Sequence, residues 1–338
     1  MINTLRILLN NYLKPSKPRQ DYRGFTLIEL LVAIVLAALV VTPLMSFMIN
    51  ILDSDRREQA KATSAQEVQA AIEYIAQDLE QAVYIYDATG LNNNSNLNAD
   101  TISGIKDQIP PLKVADGCVN NRNITCTPVL VFWKRESIEN AVPISSNSRC
   151  SSPASNCNDT FVYSLVAYYL VKGNNANSVW SNSARIARFQ IRNGVVDPFN
   201  PTTTTNGITA TNYIKGKEPS PGFNLFDLSL PGSSLQDKMN RWQKSSLAYT
   251  SKANVLVDYV DSSNTGISQN CPANQQLPSP IVGGFYACVD ASKTSAQIFI
   301  RGNALARLQQ TSTYSNNLSA YFPTASIQVQ GRSSLDIN

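Results

Sequence analysis

Asp258 and Asp261, in Val255-Leu256-Val257-Asp258-Tyr259-Val260-Asp261, come nearest to a paired acidic centre in this sequence. Two carboxylates at such a spacing could serve glycoside hydrolysis or calcium coordination. An Asp closing an apolar strand more often opens a turn, and Ser262-Ser263-Asn264 continues as a turn would. Tyr168, Tyr169 and Trp180 offer ring faces on which a sugar could stack, although strand aromatics more commonly belong to a core. Six cysteines fall as Cys118/Cys126, Cys150/Cys157 and Cys271/Cys288, a spacing that favours three local bridges among the fifteen possible pairings. A zinc site is the rival, but the chain has no C-x2-C pair and no histidine. The lack of histidine also removes Ser-His-Asp and Cys-His nucleophiles and any imidazole base working near neutral pH. No phosphate loop or metal constellation is recognisable, so neither catalysis nor a cofactor is expected.

The elements that would carry such groups are poor in charge. Charged residues make up 15% of the chain, against about 25% in an average soluble domain. Asn, Ser and Thr take their place, as in Asn92 to Asn96 and Thr202 to Thr205. With 43% hydrophobic residues the chain can bury a core, and 338 residues suit one or two domains. The net charge of +4 lies wholly in residues 1–24, where Arg6, Lys14, Lys17, Arg19 and Arg23 face only Asp21. Beyond them, 23 basic and 23 acidic residues cancel. A nucleic-acid binder needs Lys and Arg gathered on a folded face to displace counterions, so DNA and RNA are not expected partners.

Directly after the basic segment, Gly24-Phe25-Thr26-Leu27-Ile28-Glu29 leads into Leu30 to Met45, which is apolar apart from Thr42 and Pro43. With Ser46 to Leu52 the run is long enough to cross ~30 Å of hydrocarbon at ~1.5 Å per residue. Five basic residues precede it, whereas Asp53, Asp55, Arg56, Arg57 and Glu58 follow with mixed sign. The positive-inside tendency therefore leaves the N-terminus in the cytoplasm and everything after Leu52 outside. A secretory signal peptide would end in an A-x-A-like site, and no convincing one precedes the polar helix after Leu52. A plain anchor leaves Glu29 unexplained, because a charge deep in a bilayer costs about 2.5 to 3.5 kcal/mol even on lenient scales. Glu29 needs a partner or an interfacial position.

Taken together, the leader, the string Gly24 to Glu29 and the span resemble the class III signal of type IV pilins and type II secretion pseudopilins. The resemblance implies that prepilin peptidase, a membrane aspartyl peptidase, cuts between Gly24 and Phe25 on the cytoplasmic side. Phe25 is then methylated as the new N-terminus, and the apolar helix stays attached. It further implies that Glu29 pairs with the N-terminal ammonium of a neighbouring subunit. Two charges removed from water are tolerated when paired, and a carboxylate in the first helical turn meets the positive end of the helix dipole. The 24-residue leader is longer than that of many members. Pro43 frees a backbone carbonyl and predicts a bend of the kind pilin helices often carry.

From Leu44 to Thr89 there is no Gly or Pro, and Val68, Ile72, Ile75, Leu79 and Val83 recur at helical spacing, a stripe that predicts burial. Phe25 to Val83 as one kinked helix would extend about 88 Å at ~1.5 Å per residue. Asp78-Leu79-Glu80-Gln81-Ala82 resembles the end of this helix in the larger minor pilins, the PilW and J-type pseudopilin group. Beyond Tyr86, strands are predicted at Val129 to Trp133, Phe161 to Val171, Ala184 to Ile191, Val255 to Val260, Phe285 to Val289, Gln297 to Arg301 and Ser326 to Val329. The second and third form a hairpin with a long loop, a short helix runs from Ser234 to Gln243, and Asp197 to Pro221 reads as a mobile loop or insertion. The expected fold is α+β and pilin-like, a long helix packed on a mostly antiparallel sheet with disulfide-bearing loops. Its expected parts are a cleaved leader at 1–24, a transmembrane and polymerisation helix at 25–52, an amphipathic helix at 53–86 and an extracytoplasmic β-rich head at 87–338.

Export would keep the cysteines oxidised, each bridge closing a short loop worth ~2 to 3 kcal/mol in the chain-entropy picture. The expected role is a minor pilin or pseudopilin, because a head of this size is bulky for the main subunit of a dense helical array. Arg301-Gly302-Asn303-Ala304-Leu305-Ala306-Arg307 and the disulfide-bearing head resemble the hormogonium polysaccharide secretion pseudopilins of filamentous cyanobacteria. That narrower resemblance implies a part in polysaccharide export and gliding motility. The implied partners are prepilin peptidase, other pilins or pseudopilins, an inner-membrane assembly platform and the exported polysaccharide. The implied location is a single-pass inner-membrane chain with a periplasmic head, passing into a periplasmic or surface filament. The rival is an exported adhesin or glycan-acting enzyme that uses the helix only as an anchor.

Overall fold

The computed structural model describes residues 24–98, 100–111, 118, 123–146, 150, 157–173, 179–205, 208–268, 271–272, 274–309 and 313–332. Residues 1–23, nearly all of the expected leader, lie outside the described residues. The chain divides into two compact units, Met1–Arg56 and Arg57–Asn338.

In the first unit the sequence is aliphatic and free of glycine after Gly24, which suits an uninterrupted helix. Helix α1 spans Leu27–Glu80 and has Pro43 inside it. Proline cannot donate to the carbonyl one turn back. Beside it the Thr42 hydroxyl donates to the carbonyl of Ala38 at 2.7 Å, the back-bonding that threonine adopts within helices. Every residue from Gly24 to Arg56 is exposed, leucines, valines and methionines included.

In the second unit the same helix becomes two-faced. Val68, Ile72, Ile75 and Leu79 are buried, while Gln69, Glu73 and Gln77 face water. The helix ends at Glu80, short of the predicted Val83 and Tyr86, and Ala82–Ile85 form strand β1. The reason lies in Val83-Tyr84-Ile85, a β-branched and aromatic run that suits a pleated surface better than a last helical turn. Pairing satisfies the backbone there, with Tyr86 N–H donating to the Val131 carbonyl at 2.9 Å and Arg135 N–H to that of Gln81 at 3.2 Å. The last helical carbonyl, that of Glu80, accepts from Arg332 N–H at 3.0 Å.

Strands β2 (Ile124–Pro143), β3 (Cys157–Gly173), β4 (Ala184–Arg192) and β7 (Asn254–Val260) continue from β1 as one antiparallel sheet in the order β1-β2-β3-β4-β7. Strand β2 slips register at Pro128/Leu130, where proline has no ladder donor, and again at Ile138/Val142, where Asn140 takes φ 50°. The centre of the sheet is covered on both faces. Tyr168 and Lys134 face α1, whereas Trp133, next along β2, packs edge-on against Trp242, Phe223 and Phe226. Val129 to Lys134 and Leu165 to Val171 are therefore continuous buried runs.

A second antiparallel sheet has the order β11-β10-β9-β8, from Thr324–Gln330, Ser295–Arg301, Phe285–Asp290 and Gln276–Leu277. The short helix after Ser234 is Leu235–Met239, closed by a capping box with Asp237. Residues 197–221 are not the irregular loop the sequence suggests. Thr202–Thr205 (β5) and Ile208–Thr211 (β6) pair as a hairpin, because threonine's branched Cβ favours strands even in a Pro-punctuated stretch. The long helix, the antiparallel head and its disulfides make an α+β protein of pilin-like fold.

Leu79 is fully buried at the end of the stripe. Leu79→Ala is expected to lower the head's stability by about 2–5 kcal/mol in urea unfolding. Gln77→Ala on the wet face should stay within about 0.5 kcal/mol of the parent.

Candidate functional site

The N-terminal segment starts α1 with a capping arrangement. Thr26 N–H and Oγ1 donate to Glu29 Oε2 at 3.0 and 2.9 Å, and Glu29 N–H donates back to Thr26 Oγ1 at 3.3 Å. This is the reciprocal cap of a T-x-x-E string, and it gives Glu29 a role within its own chain. Thr26 was legible from that spacing alone. Gly24 and Phe25 precede the helix, Phe25 is 85% exposed, and nothing crowds Gly24. The peptide between them thus lies outside the helix and is accessible.

In the second unit the end of α1 is fastened to the sheet through one buried carboxylate. Asp78 Oδ1 accepts from Lys134 Nζ of β2 at 2.8 Å and from Arg188 Nη2 of β4 at 3.2 Å. Its Oδ2 accepts from Arg188 Nε and from the Tyr168 hydroxyl, both at 2.6 Å. Burial pushes the Asp78 carboxyl up, but the hydrogen bonds and charges of Arg188 and Lys134 outweigh it and hold the group below its ordinary 3.8. Burial, then the Asp78 charge, drives the Tyr168 phenol far above its ordinary range.

Arg301 to Arg307 forms a clasp between the second sheet and the helix. Arg301 Nη2 meets the fully buried Asp261 at 2.6 Å, and Gly302 lies where a Cβ would come within 2.8 Å of Val68 on α1. Asn303 caps the short 3-10 helix Ala304–Arg307 by accepting from Ala306 N–H. Arg307 reaches Glu67 and Ser64 of α1 and stacks 4.1 Å above the Tyr259 ring.

The structure does not join Asp258 and Asp261 into one acidic centre. Asp258 accepts from Ser181 N–H and Oγ at 2.8 and 2.7 Å, whereas Asp261 is spent on Arg301 and on an Asx turn with Ser263 N–H at 2.9 Å. Tyr168 and Tyr169 lie in the core and Trp180 is 40% exposed, so the three form no common face. Bonds join Cys118 to Cys126, Cys150 to Cys157 and Cys271 to Cys288. Among the described residues no group of three or more Cys, Asp or Glu could hold a metal ion. The polar clusters described above fasten α1 to the two sheets.

Residues 19–45 match the family model of the prokaryotic N-terminal methylation motif. Neither the curated proteins nor the solved structures give a match to the chain.

Proposed function

We propose that this type IV pilin-like protein, with its class III signal and long apolar helix, is a minor pilin or pseudopilin subunit of a type IV pilus or type II secretion-like filament. The methylation motif implies processing by prepilin peptidase and assembly with other pilins, and proteins that carry it are generally structural. One observation carries the reading: the motif runs without a break into a helix whose first half is apolar and entirely exposed, which suits a membrane anchor that later joins a helical core.

On this reading the cut falls between Gly24 and Phe25, Phe25 becomes the methylated N-terminus, and the basic leader stays in the cytoplasm. Glu29 then exchanges its cap on Thr26 for the N-terminal ammonium of an adjacent protomer in the filament core, where an unpaired charge would not be tolerated. Low copy number follows from the head, which would crowd its neighbours at every position of a dense array. The inner-membrane assembly platform is the machinery that would take up the chain, and export of a polysaccharide with gliding motility is the process it would serve. The protein has no chemistry of its own in this role.

Mass spectrometry of the purified mature chain tests the processing. The expected N-terminus is N-methylated Phe25. An intact Met1, or a start well downstream of the span, would overturn the assignment.

A further inference from the structure

The second sheet ends in an open edge. Strand β11 is last in its order and pairs with β10 from Thr324 to Gln330 without a register shift. Which way each residue turns its backbone follows from the bonds at the two ends: Gly302 N–H donates to the Pro323 carbonyl and Gly331 N–H to the Thr294 carbonyl, both at 2.8 Å. Bonded residues alternate in an antiparallel ladder. Ala325, Ile327 and Val329 therefore turn their backbone groups to β10, and Thr324, Ser326, Gln328 and Gln330 turn theirs outward. These four residues are exposed, and their outward N–H and C=O groups meet no partner among the described residues.

Folded chains commonly guard such an edge with charge, proline, a bulge or a covering segment, because it is a template for another strand. Strand β7, at an edge of the first sheet, follows that rule, with two register shifts and Asp258. Strand β11 does not. It has no charged residue and no proline, and its register is unbroken. A row of alternating free donors and acceptors is complementary to another extended main chain.

A cavity beside this edge indicates what that chain should carry. Ser326 pairs with Phe299 and Phe299 with Tyr286, so the three share the outer face of the sheet. There the Tyr286 and Phe299 rings stack at 4.6 Å, and a space of about 320 Å³ lies over them, lined also by Gly266 to Ser268 and, on the side of the edge, by Thr324, Ala325 and Ser326. Arg301 is the charged residue in the lining, and Asp261 holds it at 2.6 Å. A residue opposite Ser326 or Thr324 on an added strand would place its side chain on this face, across two small side chains from the rings. A second copy of this chain fills the space poorly. The antiparallel register that matches all four outward residues sets Gln328 opposite Ser326 and Gln330 opposite Thr324, so only amides would approach the rings. We propose that β11 takes up an extended segment of another protein as an added strand, with an aromatic side chain of that segment seated over Tyr286 and Phe299. The site belongs to the head and does not depend on membership of a filament.

The full-length protein in detergent is titrated by calorimetry with the N-acetylated, C-amidated peptides Thr-Val-Thr-Phe-Thr-Val-Thr and Thr-Val-Thr-Ser-Thr-Val-Thr. The Phe peptide should saturate below about 1 mM and the Ser peptide should bind about tenfold or more weakly, a buried ring being worth at least that factor. Saturation should slow hydrogen exchange of the Ser326 and Gln328 amides by about tenfold or more. Gln328→Pro removes an outward donor and no bond to β10, the kind of edge position that accepts proline. It should remain folded by circular dichroism and bind the Phe peptide about tenfold or more weakly. No saturation by the Phe peptide up to about 1 mM, unprotected amides at Ser326 and Gln328, or unchanged binding to folded Gln328→Pro would overturn the proposal. Equal binding of the two peptides would overturn the seat for a ring. Concentration-dependent dimerisation in sedimentation that Gln328→Pro abolishes, where the Phe peptide does not bind, would also overturn it and make the edge a contact between copies.

Discussion

Glu29→Ala is expected to lower incorporation of the chain into filaments by on the order of a hundredfold or more, with the head still folded. Losing one member of a buried charge pair costs about 3–5 kcal/mol, because the partner ammonium is left uncompensated. Alanine alone cannot separate that effect from loss of the helix cap, since Glu29 also accepts from Thr26 N–H and Oγ1. Glu29→Gln can. Glutamine keeps a capping box but carries no charge, so it should incorporate as poorly as alanine if pairing is what matters. Full incorporation of either variant, measured by immunoblotting sheared filaments against membranes, would favour an exported binder or enzyme that uses the helix only as an anchor.

The second large effect is expected at Asp78. Asp78→Ala should cost the head about 3–5 kcal/mol, because it strands Lys134 and Arg188 in a buried setting. The pH dependence supplies an internal check. The folded carboxyl titrates below its ordinary 3.8, so its contribution is fully present above about pH 4 and is lost as pH falls through the folded value. The stability gap between parent and Asp78→Ala, read from urea unfolding, should therefore narrow from pH 7 to pH 3. An unchanged gap would show that packing at this position, and not charge, holds the helix end.

Much of this architecture can be read from the residues themselves. The stripe Val68, Ile72, Ile75 and Leu79 announced a core-facing helix, and each predicted run from Val129 to Val329 lies within an observed strand. The strand Ala82–Ile85 was hidden because its apolar residues continue the helical spacing, and what selects the strand is pairing with Trp133 and Phe132 far along the chain. The role of Asp78 was hidden for the same reason, its partners lying 56, 90 and 110 residues away. Tyr168 and Tyr169 looked available for a ligand only while one face of β3 was assumed open. The packing on Trp133 and α1 closes both. Trp180, Tyr74 and Tyr259 share no sequence pattern, and it is the packing of α1 beside the sheet that brings them to one groove.

The end of α1 is held at several points by different parts of the head. Covalent continuity carries it into β1, Asp78 ties it to β2 and β4, the Glu80 carbonyl is held by Arg332 just past β11, and Arg307 grips it at Glu67 and Ser64. Force applied to the end of α1 would be shared among these fastenings, so no single one of them would decide whether the helix end leaves the head.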